Sequence, residues 1–130
     1  MQHRVLSGEC YNIFVRELEA ILRAHGLKLG HLTTRAEIHP EIVNRLKRSL
    51  KCSQASPRFH LINPSDLEKV ITTFQLTSNE QLRLRAAILA TAVEKMLIDR
   101  IGPVNAFAAA EEVFPILLAA LHARLCACLR

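Results

Sequence analysis

Tryptophan is absent from this 130-residue sequence, tyrosine occurs once and phenylalanine five times. Aromatic rings therefore cannot fill a core, and leucine, isoleucine, valine and alanine must, a palette that favours helices over strands. Four glycines and five prolines are too few for a disordered or low-complexity chain, and no self-similar period marks a repeat array. The longest nearly uncharged apolar run, residues 113–121, is about half of the roughly 20 residues that span a bilayer. The opening residues lack the apolar stretch of a signal peptide. Both absences lead to the expectation of a cytoplasmic chain with no membrane partner.

Cys10, Cys52, Cys126 and Cys128 come with no other sign of secretion, so reduced thiols are expected in place of a disulfide framework. His122 stands four residues before Cys126, a spacing that can place soft ligands on one helix face. Cys126 and Cys128, however, would point about 200° apart on a helix, and neither a metal nor a cofactor is expected. Catalysis has no footing either. The six histidines and four cysteines are dispersed, and no Gly-rich phosphate loop, His-Glu-x-x-His or Gly-x-Ser-x-Gly occurs. Glu111 and Glu112, adjacent on a helix, point about 100° apart and make no carboxylate pair.

What the chain does hold is concentrated positive charge. Between Arg23 and Arg58, eight basic residues (Arg23, Lys28, Arg35, Arg45, Lys47, Arg48, Lys51, Arg58) face only Glu37 and Glu41. That surplus of six exceeds the net charge of +5 for the whole chain, so the remainder is nearly neutral. Charge gathered on one short stretch is the footprint of a surface that meets a phosphate backbone.

The apolar spacing places helices around that stretch. Residues 14, 18, 21 and 22 make one stripe of a first helix over about 11–25, which Gly26 ends by supplying a left-handed residue. A short second helix over 28–35 turns Leu29 and Leu32 inward. Pro40, suited to a first helical turn, opens a third helix to about Leu50, with His39, an uncommon cap, before it. Its inward stripe is Ile42, Val43, Leu46 and Leu50, and its other faces carry Glu41, Asn44, Arg45, Lys47, Arg48 and Lys51. After a connector over 51–62, Asn63-Pro64 opens a fourth helix with Leu67, Val70, Ile71 and Phe74 as its stripe. The Thr77-Ser-Asn-Glu80 capping box opens a long fifth helix, whose apolar residues 82, 86, 89, 93, 96, 97 and 101 suit the core or a partner helix. Gly102-Pro103 stops it. The final segment, 104–130, is the most apolar, with Pro115 expected to kink it or start a new helix.

The expected fold is all-α, with five to six helices: an N-terminal helix-turn-helix bundle, a long helix and an apolar C-terminal helix. One domain spans 1–130, its DNA-binding part over 11–76 and a helical dimerisation part over 77–130. So much apolar surface late in a small chain points to pairing with a second copy through Val93, Leu97, Phe114, Leu117, Leu118, Leu121 and Leu125. The alternative is a last helix that completes the monomer core.

The run from Gly26 to Leu46 resembles the lambda-repressor-like, or Xre-type, helix-turn-helix family in its Gly-Leu entry, inward Leu32, apolar Ile38 after the turn, and Val43 and Leu46. The resemblance covers about residues 11–80. It departs at Thr33, where the family usually has a small residue, and at Glu37, where it usually has glycine. A left-handed residue other than glycine has a cost, so strain or a different turn is expected at Glu37. The resemblance implies that the second motif helix enters the major groove, with His39, Glu41, Asn44, Arg45 and Arg48 towards base edges. It implies phosphate contacts from Lys28, His31, Thr34, Arg35, Lys47 and Lys51. The function so implied is a homodimeric regulator that binds double-stranded DNA by sequence. A helical protein-interaction module that has lost DNA binding, with a protein partner on the C-terminal apolar face, remains open, as does a small effector held between the last helices.

Overall fold

The computed structural model describes residues 11–50 and 59–129, apart from the side chain of Phe107. Among them the fold is all-α, with six helices: α1 (Ile13–Ala24), α2 (His31–Ala36), α3 (Pro40–Ser49), α4 (Pro64–Thr73), α5 (Ser78–Ile101) and α6 (Pro103–Cys128). The chain divides into two compact units, Met1–Val93 and Glu94–Arg130.

In the first unit each helix starts and stops where side chains satisfy its free backbone groups. Asn12 caps α1, its Oδ1 accepting from the Val15 N–H at 3.0 Å. At the other end Gly26 takes φ +73°, and the Gly26 and Leu27 N–H groups return to the carbonyls of Arg23 and Leu22, a Schellman closure. Asn63 caps α4 through the Asp66 N–H at 2.8 Å. Thr77 and Glu80 exchange bonds reciprocally at the start of α5, as the sequence box predicts. Two residues other than glycine are left-handed: Glu37 at φ 58° and Gln75 at φ 51°. Glu37 ends α2 there, and the N–H groups of Glu37 and Ile38 both reach the Leu32 carbonyl. Of the two alternatives expected at Glu37, strain or a different turn, the residue takes the left-handed conformation, which costs a residue with a Cβ more than it costs glycine.

These ends aim the apolar stripes at one core. Phe14, Leu18, Ile21 and Leu22 of α1 are buried together with Leu29, Leu32, Ile38, Val43, Leu46, Leu67, Val70, Ile71 and Phe74. Val15, outside the expected α1 stripe, is also fully buried. The face of α5 is a correction. Leu82 and Leu89 are exposed by about two thirds, Met96 by half, and the buried residues are Leu84, Ala87 and Thr91. Periodicity does not decide the matter, because apolar residues lie on nearly every side of 84–93. Polar contacts accompany the observed face. Arg83 pairs with Glu17 of α1 and Arg85 with Glu68 of α4, on either side of the buried Leu84. Thr91 Oγ1 accepts from the Phe14 N–H at 3.0 Å and donates to the Ala87 carbonyl.

In the second unit Gly102, at φ +84°, separates α5 from α6. Pro115 does not stop α6. Its ring cannot donate to the Glu111 carbonyl and crowds it, and the helix widens into a π turn over Ala109–Val113 directly before the proline. Beyond it Ile116, Leu117, Leu118, Leu121, Leu125 and Leu129 are all more than half exposed. By length and composition alone, α6 is long and apolar enough to cross a membrane.

Candidate nucleic-acid interface

The end of the first helix, the two short helices and the turn between them set out the residues singled out from the sequence. α3 begins at Pro40, and the His39 side chain is its cap, Nδ1 accepting from the Glu41 N–H at 3.0 Å. His31 does the same for the approach to α2, accepting from the Lys28 N–H at 2.9 Å. With Nδ1 engaged, each neutral ring carries its proton on Nε2, a donor suited to a phosphate oxygen or a purine acceptor. Uncommon caps are thus compatible with an outward-facing donor, and His39 is left with one ring nitrogen to offer.

Val43 and Leu46 anchor the back of α3 in the core. Opposite them Glu41, Asn44, Arg45 and Arg48, spaced one turn apart, form a single exposed face. Arg48 Nη2 lies 3.9 Å from Glu41 Oε1, a loose exposed pair worth little. Arg45 has no carboxylate partner among the described residues, and its side chain borders a 250 Å³ pocket with Ile42, Leu46 and His60–Asn63.

Beside that face lies an open groove of about 830 Å³ between the end of α1, the start of α2 and the end of α3. Lys28, His31, Thr34 and Lys47 all line it, with Arg23 and Glu19 at its edge. The Lys47 ammonium lies beside Gly30 at the start of α2. Four of the six expected phosphate contacts therefore share one concavity. Arg35 is exposed on α2 and does not line it, and Lys51, like Arg58, Cys10 and Cys52, lies outside the described residues.

The cations of this unit differ in their partners, Arg16 lying over the Tyr11 ring and Arg48 loosely paired with Glu41. Lys69, Arg83 and Arg85 are tied to Asp66, Glu17 and Glu68, and Arg23 to Glu19. Lys28, Arg35, Arg45 and Lys47 have no such partner among the described residues. Cations left unpaired keep their full charge for an incoming anion.

Sequence reasoning missed the residues that hold this surface in place. Asn12 is fully buried; its Nδ2 donates to the His60 carbonyl at 2.9 Å and its N–H to the Ser49 carbonyl at 3.2 Å. It joins the start of α1 to the end of α3 and to the connector. An Asn directly before the first apolar stripe is a cap signal, and that signal was there to be read. Thr91 gave none, because a threonine within a long helix resembles any other surface position.

Of the residues expected to pair two copies, Val93, at the end of the first unit, and Leu97 and Phe114 of the second are half-buried, and Leu117, Leu118, Leu121 and Leu125 are exposed. His122 Nε2 and Cys126 Sγ are 3.6 Å apart, while Cys128 is exposed. No group of three or more metal-ligating side chains occurs among the described residues. No protein-family model matches this chain, no curated protein matches its sequence and no solved structure matches its fold.

Proposed function

We propose that this protein is a sequence-specific DNA-binding transcriptional regulator that acts as a homodimer with α3 in the major groove. The observation that carries the reading is the adjacency of two surfaces. The exposed face of α3 presents Asn44, Arg45 and Arg48, and the groove beside it collects Lys28, His31, Thr34 and Lys47. Asn and Arg are the side chains that pair bidentately with adenine and guanine edges. The unpaired Lys28, before α2, and Lys47, on the flank of α3, would hold the phosphate backbone and set the register. The departure at Glu37 does not count against this reading, since Glu37 takes the left-handed conformation that the turn requires.

A second copy would cover the leucines of α6. Phe114, Leu118, Leu121 and Leu125 recur at helical spacing on one side, and Ala119, Ala123 and Ala127 lie on the other. A bilayer would also cover them. However, Glu111 and Glu112 stand near the middle of α6, where a carboxylate costs about 2.5–3.5 kcal/mol at the centre of a membrane. That cost favours the second copy and, with it, a soluble cytoplasmic regulator.

Fluorescence anisotropy on a random-sequence duplex across a salt series tests the reading, run beside the double variant Arg45→Glu/Arg48→Glu. Steep salt dependence that flattens in the variant is expected. No binding at low salt would overturn the proposal and favour a helical protein-interaction module docking through the exposed apolar face of α6. Arg45→Ala should lower discrimination between sites by about 1–3 kcal/mol, whereas equal loss on every sequence would make Arg45 a backbone contact.

A further inference from the structure

His122 and Cys126 stand one turn apart on α6, with Nε2 and Sγ in contact at 3.6 Å. Both side chains are accessible to some degree, Cys126 half-buried and His122 exposed, and neither is locked by a third group. A tetrahedral zinc ion, with bonds of about 2.3 Å to sulfur and 2.0–2.1 Å to nitrogen, holds those two atoms about 3.6 Å apart. The observed Nε2···Sγ distance is 3.6 Å. One turn of helix thus places an imidazole nitrogen and a thiol at the bite of one tetrahedral edge.

Two ligands make half of a closed zinc site, and no third metal-ligating group joins them among the described residues. A second copy of the same helix, related by a two-fold axis through the ion, supplies the missing half. His122 also falls on a stripe with Leu118, Leu125 and Leu129 at steps of four, three and four residues, the spacing of a helix–helix seam. Those three leucines are exposed, so the stripe carries both an uncovered apolar seam and half of a coordination sphere. Two thiolates would balance the charge of the ion.

We infer that α6 pairs with a second copy around a divalent zinc-like ion held by His122 and Cys126 of both chains. On binding, the two Cys126 thiols release their protons to solvent and the imidazoles bind as neutral donors; no oxidation occurs. The ion selects which leucines meet: Leu118, Leu125 and Leu129 flank it, and Leu117 turns away. Cys128 stays outside, since it points to the far side of the helix. This departs from the sequence-based expectation of no metal. It shares with the DNA-binding reading only the pairing of two copies, and the test contains no DNA.

The full chain, stripped of metal under a non-thiol reductant, is titrated with Co2+, a zinc surrogate whose tetrahedral thiolate complexes absorb strongly. Metal content and light-scattering mass are read on the same samples. The expected result is half an ion per chain, a thiolate-to-cobalt absorption band, and a metal-dependent rise in the dimer fraction. His122→Ala and Cys126→Ser should each weaken binding by roughly 100-fold or more, since each removes two of four ligands from the pair. Cys128→Ser should bind as the parent does. Both ligand positions are at the surface, and unchanged helical melting checks that the variants fold. One ion per chain, no thiolate band, or binding unaffected by Cys126→Ser would overturn the inference and leave a thiol–imidazole hydrogen bond. So would a metal-free chain that inserts into neutral lipid vesicles and takes up no Co2+.

Discussion

Lys47 is the cation through which the proposed DNA contact can be counted. Its ammonium lies over Gly30, in the groove it shares with Lys28, His31 and Thr34, and it has no carboxylate partner among the described residues. Lys47→Gln therefore removes one charge while breaking no ion pair, and as an exposed substitution should change stability by no more than about 0.5 kcal/mol. Each phosphate neutralised contributes about 0.9 to the slope of log affinity against log salt. Two copies on a duplex lose two such contacts, so the slope should fall by about 1.8. Between 50 and 200 mM salt the parent would then lose about 12-fold more affinity than the variant does.

Anisotropy titrations over that range, on two duplexes of unrelated sequence, give the slope directly. The loss should be the same on both, because a phosphate contact carries no sequence information. Arg83→Gln is the control. Arg83 is already paired with Glu17, so its removal leaves the slope unchanged while costing at most about 1 kcal/mol of stability. Parallel lines for the parent and Lys47→Gln would refute the assignment of the groove to phosphate. A change near 0.9 would count one copy per duplex and refute the homodimer.

Three further outcomes follow from the backbone and the carboxylates. Glu37→Gly and Gln75→Gly each relieve a left-handed residue (φ 58° and 51°) and should raise stability by about 0.5–1 kcal/mol after the entropy of the added glycine; lowered denaturation midpoints would show that the turns are unstrained. The Glu80 carboxyl is held below its ordinary value, first by the Thr77 backbone bond and then by His25. Its contribution is therefore present above the usual glutamate range and fades as pH falls through and below it. Glu80→Ala should cost about 1 kcal/mol at pH 7, and the gap to the parent should narrow in acid. Burial pushes Glu94 up, and its Oε1 is unpartnered among the described residues. Its ionised form is the unfavourable one, so Glu94→Gln should raise the melting temperature at neutral pH, with the gain shrinking as pH falls into the ordinary glutamate range. A gain constant with pH would remove ionisation as its cause.

α1, α3 and α4 were legible because their apolar residues keep to one side, and for α3 and α4 because Pro40 and Asn63-Pro64 mark the start, whereas the Asn12 cap of α1 was overlooked. Even the weak cap at His39 formed, and the left-handed turn at Glu37 stands where the resemblance implied it. α5 was misread because burial there is not written in its own periodicity. Leu82, Ala86 and Leu89 offer as good a stripe as Leu84, Ala87 and Thr91. The choice goes with tertiary contacts such as the buried bond from the Phe14 N–H to Thr91, and a local pattern cannot name a residue 77 positions away.

The same distinction applies to the proposed site. Which face of α3 is exposed follows from Val43 and Leu46 alone, so Asn44, Arg45 and Arg48 could be read without coordinates. That Lys28, His31, Thr34 and Lys47 share one groove depends on how α2 crosses α3. Asn12 ties α1 to the end of α3 and to the connector. It is fully buried; its backbone N–H binds the Ser49 carbonyl and its side chain the His60 carbonyl, so replacing the side chain acts on the connector that follows α3 as well as on the cap of α1. Asn12→Ala should therefore cost more than the roughly 1 kcal/mol of an ordinary cap, because it also removes the Nδ2 bond to the part-buried His60 carbonyl, at about 0.5–1.5 kcal/mol. If α3 is the reading helix, DNA affinity measured well below the melting temperature should fall as well, though Asn12 is buried away from any ligand. A loss of stability with DNA affinity unchanged would show that α3 holds its place without Asn12.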